Sequence, residues 1–123
     1  MIDTLQGKWD GLMHDVEGFD ARASLELADE DGRIKGRFKY EVVTHHELAK
    51  PIEGAIEGRR SKNGLVELAG KLDSGGAVRF EGHAVDVKHH ARASIIGTYT
   101  VSVGQEQATG QGSAIFWLFA AKR

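Results

Sequence analysis

Arg33-Ile34-Lys35-Gly36-Arg37-Phe38-Lys39-Tyr40-Glu41-Val42 alternates without a break between charged residues and apolar or small ones. In an extended chain successive side chains point to opposite faces. Ile34, Gly36, Phe38, Tyr40 and Val42 therefore share one face, and Arg33, Lys35, Arg37, Lys39 and Glu41 share the other. A helical period of 3.6 would scatter both sets around the circumference. The segment is a strand with one face toward a core and one toward water.

The same period recurs on both sides of it. Upstream, Ala21, Ala23, Leu25 and Leu27 form an apolar face that ends at Asp29-Glu30-Asp31-Gly32. Downstream, Ile52, Gly54, Ile56 and Gly58 end at Ser61-Lys62-Asn63-Gly64, and Val66, Leu68, Gly70 and Leu72 end at Asp73-Ser74-Gly75-Gly76. Asp-Gly, Asn-Gly and Gly-Gly suit two-residue hairpins, whose central residues need positive φ. A sixth strand starts with Val78, Phe80, Gly82 and Ala84, a seventh runs from about Ala91 to Val103, and an eighth from about Gly112 to Ala121. The first surrounds Leu5-Gln6-Gly7-Lys8-Trp9-Asp10-Gly11. Strands joined in order by short turns pair with their sequence neighbours. The expectation is one all-β domain over residues 1–123, an eight-stranded antiparallel up-and-down β-barrel. A two-sheet sandwich is the rival, and glycines in mid-strand favour the barrel because they relieve crowding where strands coil.

Composition narrows the function classes. A chain of 123 residues with 41% apolar and 28% charged residues is the size and polarity of one globular domain. Net charge is −2 and the basic residues are spread along the chain, which gives no footprint for nucleic acid or an anionic membrane. The absence of cysteine excludes disulfides, thiolate catalysis and cysteine-ligated metals. Met1-Ile2-Asp3-Thr4 opens no basic-then-apolar leader, so the expected location is cytoplasmic. Ala114–Ala121, the most apolar run, is too short for a membrane helix.

Gly7-Lys8-Trp9 resembles the opening Gly-x-Trp of lipocalins and the Gly-Lys-Trp of avidins, eight-stranded calycin-type barrels whose tryptophan plugs one end. Asp31-Gly32-Arg33-Ile34-Lys35-Gly36-Arg37-Phe38 is similar to the avidin turn and third strand, and Gly112-Ser113-Ala114-Ile115-Phe116 to the final one. The biotin-holding residues of avidins are missing. Asp10-Gly11-Leu12-Met13-His14-Asp15 has neither the asparagine nor the serine, Phe38 stands where a tyrosine is expected, and the only tryptophans are Trp9 and Trp117. The resemblance implies the fold and a ligand other than biotin.

In such a barrel the loops after strands one, three, five and seven share one rim, which Gly-x-Trp leaves open. That rim collects His14, Asp15 and Glu17, then His45, His46 and Glu47. Clustered histidines and carboxylates suit a ligand or acid–base site, and solvated loop polarity is the bland alternative. His45-His46 and His89-His90 do not make a metal centre. Adjacent strand residues face opposite ways, and the two pairs lie at opposite rims roughly 20 Å apart. The basic run of the third strand reads as a solvent-side ladder against Glu26, Glu53 and Glu57.

Trp9, Phe38, Tyr40, Phe80, Tyr99 and Phe116 fall on inward faces. Inward glycines and alanines among them either leave room for a ligand or mark bends. Outward, Ile115, Trp117 and Phe119 join Ile96 in an apolar stripe suited to a homo-dimer or tetramer, unless a one-residue slip turns Trp117 to the core. The leading expectation is an oligomeric barrel that binds a small apolar or amphipathic molecule. Trp9, Phe38, Tyr40 and Tyr99 would line the site, with His14 and His46 at its mouth and no cofactor required. One alternative is an interaction or inhibitor module using the outer stripe. The other is a cyclase- or isomerase-type barrel enzyme with Asp86, His46 and Tyr99 as its acid–base groups.

Overall fold

A computed structural model of the chain describes residues 4–16, 18, 20–44, 47–48, 51–73, 75–86, 91–103 and 110–119. All regular structure among them is β. The strands are β1 (Gly7–Asp15), β2 (Asp20–Glu30), β3 (Arg33–Thr44), β4 (Glu47–Leu48), β5 (Ile52–Arg60), β6 (Leu65–Leu72), β7 (Gly76–Asp86), β8 (Ala91–Val103) and β9 (Gly110–Phe119). Apart from the two-residue β4, which pairs with the end of β3, they match the periodic segments read from sequence. Several ends run two to four residues further, because pairing continues past the last apolar residue.

Every pairing is antiparallel, and the long strands follow one another up and down. The sheet curls back on itself: β1 pairs with β9 as well as with β2, and β2 also pairs with β3. Each strand longer than β4 thus has a hydrogen-bonded neighbour on both sides, which protects edges that would otherwise invite aggregation. Turn chemistry sets the register. Asp31 (φ 54°) and Gly32 (φ 92°) are the two residues between β2 and β3, and positive φ at both is the signature of a type I′ hairpin. The register then places Arg37 opposite Glu26, Lys35 opposite Glu57 and Lys39 opposite Glu53, the charge ladder expected on the outer face.

Alternation puts Trp9, Met13, Leu25, Leu27, Ile34, Phe38, Ile56, Val66, Leu68, Phe80 and Ile95 inside, all buried. Between these large residues stand the inward glycines, and they do not hold space open. A Cβ on Gly36 would collide with the backbone carbonyl of Glu26 on the adjoining strand, and the inward glycines of β5 to β8 meet neighbouring backbone in the same way. They are points where strands bend across one another at closer range than a side chain allows. The bend reading of these glycines is the one the structure favours, and the volume they were expected to free is occupied by backbone.

Candidate functional site

The two ends of the curled sheet differ in chemistry. The connections β2–β3, β5–β6 and β7–β8 and the segment before β1 lie at one end. There Trp9 is fully buried and its indole Nε1 donates to the Leu5 carbonyl at 2.9 Å, so the chain entering β1 folds across the core. The lid is tied to the wall by Asp29. Its carboxylate accepts from the Leu5 amide at 2.7 Å, the Gly32 amide at 2.8 Å and the Arg60 Nε at 3.0 Å. The Asp29 side chain is 1% exposed and that of Arg60 13%. Burial pushes the Asp29 carboxyl up, but hydrogen bonds from Arg60, Leu5 and Gly32 and the guanidinium charge together hold it below the usual value. This end is shut.

Above the lid lies a small void lined by Met13, Leu25, Phe38, Ile56, Leu68, Val78, Phe80, Tyr99 and Ala114. Its volume, counted as room for the centre of a water molecule, is ≈ 20 Å³. That admits about one water-sized group, whereas drug-sized ligands occupy roughly 300–1,000 Å³. An apolar void of this kind favours a hydrocarbon group over water.

The opposite end carries the β1–β2, β3–β5, β6–β7 and β8–β9 connections. Two tyrosines face inward near it, Tyr40 from β3 and Tyr99 from β8, each 7% exposed. The Tyr40 ring packs on Phe38 with centroids 5.4 Å apart. Neither hydroxyl has a hydrogen-bond partner among the described residues, and no buried side-chain oxygen there is left unsatisfied, so both hydroxyls keep a contact with solvent. Burial raises both phenols. That of Tyr99 is pushed up to about 12, with Asp15, Tyr40 and Asp20 adding to the effect of burial. Asp15 shares the inward parity of Trp9 and Met13 and is half-buried at the end of β1. It stands opposite Gly112 of β9, and Gly112 stands opposite Tyr99 of β8. No side chain intervenes, because a Cβ on Gly112 would strike the His14 carbonyl.

The fold itself has solved counterparts. A de novo designed fluorescence-activating β-barrel superposes with a TM-score of 0.64 at 21% identity, covering 96% of this chain and 99% of that one. A redesigned β-barrel solved with DFHBI bound gives 0.63 at 10% identity, covering 92% and 97%. This chain has a β-barrel fold. No protein-family model matches it, and no curated protein is similar to it. The likeness carries the barrel and not membership of the avidin or lipocalin families.

Within the barrel the expected site residues separate. Phe38 and Tyr99 line the void, and Tyr40 adjoins it through Phe38. Trp9 belongs to the shut end, away from the tyrosines. His14 is near the open end but on the outer face of β1, where its Nδ1 meets Asp20 Oδ1 at 2.6 Å with both side chains about two-thirds exposed. His45, His46, His89 and His90 lie outside the described residues, and among the described residues no three metal-ligating side chains converge. Ile96 is 50% exposed, and Leu12 on β1 is 51% exposed. Both are registered with Ile115 of β9. Ile115, Trp117 and Phe119 lie on β9, and Asp86 ends β7, with side chains outside the described set. Sequence reading placed Asp15 in the polar rim with His14 but missed Asp29 and Arg60. All three continue the inward parity of their strands by one or two residues beyond the last apolar position.

Proposed function

We propose that this protein is a closed barrel of eight long strands, avidin- or lipocalin-like in layout, that binds a small, largely apolar molecule at its open end. The observation that carries the reading is the pair of buried tyrosine rings with unpaired hydroxyls set over a dry apolar void. In a filled structural core, buried hydroxyls find partners. Here they are left facing an opening, where they can hydrogen-bond the polar part of a ligand whose apolar tip enters the void. The ladder from β9 to β1, the Trp9 lid and the dye bound by a designed neighbour support the same reading. The void limits how much of the ligand goes below the tyrosines.

Calorimetric titration with a series of straight-chain alcohols tests this. Each methylene that enters apolar surroundings contributes about 0.8 kcal/mol, so affinity rises about fourfold per carbon until the void is full, then stops rising. Ala114→Val, which fills part of the void while preserving the circular dichroism of the parent, shortens the series. Heats that never saturate for any chain length overturn the reading.

A second reading rests on exposed Leu12 and Ile96, whose backbones both register with Ile115 on the strand between them. Two copies of the chain would cover these residues between them. Sedimentation of the parent as a single chain, or of Ile96→Glu unchanged as a dimer or tetramer, rules it out.

A further inference from the structure

The turn between β5 and β6 carries a chemistry that the open end does not use. Asn63 is the only asparagine of the chain, and Gly64 follows it. Both belong to the loop that joins the two strands at the shut end, where Lys62 and Asn63 are exposed. Gly64 adopts φ 90° and its N–H donates to the Ser61 carbonyl at 3.1 Å. The Asn63 side chain is held by its oxygen. The Ser61 hydroxyl donates to Oδ1, and the Leu65 N–H lies 3.4 Å from the same atom. A backbone N–H can only donate, which assigns that end of the amide as the oxygen and leaves the NH2 group without a partner among the described residues. Gly64 has no Cβ to obstruct an approach of its nitrogen to the Asn63 side chain.

We infer that Asn63 is a self-modifying site, converted without an enzyme to aspartate and isoaspartate by attack of the Gly64 nitrogen on the Asn63 side-chain carbon. The N–Cγ bond forms as the Cγ–Nδ2 bond breaks, and the proton lost by the Gly64 nitrogen leaves with Nδ2 as ammonia. Water then opens the succinimide ring, at Cγ to give aspartate or at the Asn63 main-chain carbonyl to give isoaspartate, and the new carboxyl proton passes to solvent. Water is the only co-reactant. Negative charge gathers on Oδ1 as the nitrogen adds, and the Ser61 hydroxyl is placed to stabilise it. The ring cannot close while the Gly64 N–H stays on the Ser61 carbonyl, so the reaction draws on local opening of this exposed loop. Asp31-Gly32 is protected from the same closure. Gly32 is buried, its N–H donates to the Asp29 carboxylate at 2.8 Å, and the Asp31 carboxylate is a poor electrophile.

The two products differ in their effect on the shut end. Aspartate keeps the main chain as it is. Isoaspartate adds a methylene to it, inside a loop where the Ser61 N–H donates to the Leu65 carbonyl and the Ala84 N–H of β7 to the Gly64 carbonyl, both at 2.8 Å. A longer path between Ser61 and Leu65 cannot keep both. Arg60, whose side chain holds Asp29, immediately precedes this loop, so the isoaspartate form loosens the shut end.

The test holds the whole protein at mildly alkaline pH for days, with peptide mapping at residue 63 and isoaspartate counted by enzymatic methyl transfer. Residue 63 is expected to convert at a rate that rises in proportion to hydroxide, while Asp31 and the variant Asn63→Gln stay unchanged. Ser61→Ala is expected to slow conversion about two- to tenfold, the worth of one hydrogen bond. A hydroxyl that only braced the turn would give faster conversion on removal. The isoaspartate fraction, separated by chromatography, is expected to unfold at lower urea than the aspartate fraction. Asn63 still intact when a free peptide of residues 59–66 has fully converted overturns the site. Faster conversion of Ser61→Ala overturns the role of its hydroxyl, and equal urea midpoints of the two fractions overturn the loosening.

Discussion

Replacing Asp29 with alanine removes the group that ties the Trp9 lid to the wall, and the structure fixes the size of the expected loss. The carboxylate is 1% exposed and accepts from the Leu5 and Gly32 amides and from Arg60. Its removal leaves two buried amides without their acceptor and strips the largely buried guanidinium of its counter-charge. Breaking a buried ion pair from one side costs about 3–5 kcal/mol. A domain of this size has roughly 5–15 kcal/mol in total, so Asp29→Ala consumes about a fifth or more of its stability. The double variant Asp29→Ala with Arg60→Met costs less than Asp29→Ala alone, because the stranded charge goes with its partner. Asp29→Asn keeps an acceptor and falls between. The pH dependence has a definite sign. The native carboxyl ionises below its unfolded value, so its contribution is complete above about pH 4 and disappears as pH falls through the depressed native value. The gap between the parent and Asp29→Asn should therefore be full at neutral pH and close in acid. Urea unfolding followed by tryptophan fluorescence measures all four proteins. An Asp29→Ala midpoint equal to the parent's, or a double variant worse than the single, would refute the latch.

The Tyr99 phenol should titrate near 12 by phenolate ultraviolet absorbance, and Asp15→Asn should move it down. Because its native value is raised, Tyr99 contributes stability fully below about pH 10 and loses it as pH climbs toward 12. Gly36→Ala should lower stability by about 1–3 kcal/mol in urea unfolding, since the new methyl meets the Glu26 carbonyl and backbone must shift; an unchanged midpoint would mean the strands are not that close. Arg37→Ala should leave the urea midpoint where it is, because the Arg37–Asp73 pair at 2.7 Å is about half exposed on both sides.

The fold was legible because the alternation in Arg33–Val42 and its repeats states both element type and facing, and because Asp31-Gly32 has one good use in a hairpin. The strand ends were less legible. Apolar periodicity stops at Leu27 and Gly58, yet pairing carries on to Glu30 and Arg60, and the polar residues in those extensions include the ion pair that closes the barrel. An inward Asp or Arg breaks an apolar pattern in the same way as a loop residue does. Only the three-dimensional meeting of β2, β5 and the segment before β1 distinguishes the two. His14 shows the converse. It clusters in sequence with Asp15 at the predicted mouth, but a single step of the pleat turns Asp15 inward and His14 out to Asp20.

Glycine content misleads for a related reason. A missing side chain counts as empty volume only if the surroundings stay put, and a strongly curled β-sheet achieves its curvature by letting backbone move into that volume. Gly36, Gly58 and Gly97 are thus evidence for tight coiling, and coiling shrinks the interior instead of enlarging it. A narrow interior in turn shifts any binding toward the mouth, where the large side chains Tyr40 and Tyr99 face inward. Substituting residues deep in the barrel should therefore change stability more than ligand preference, and replacing Tyr99 by Phe should do the reverse. A site buried at the centre would give the opposite ordering.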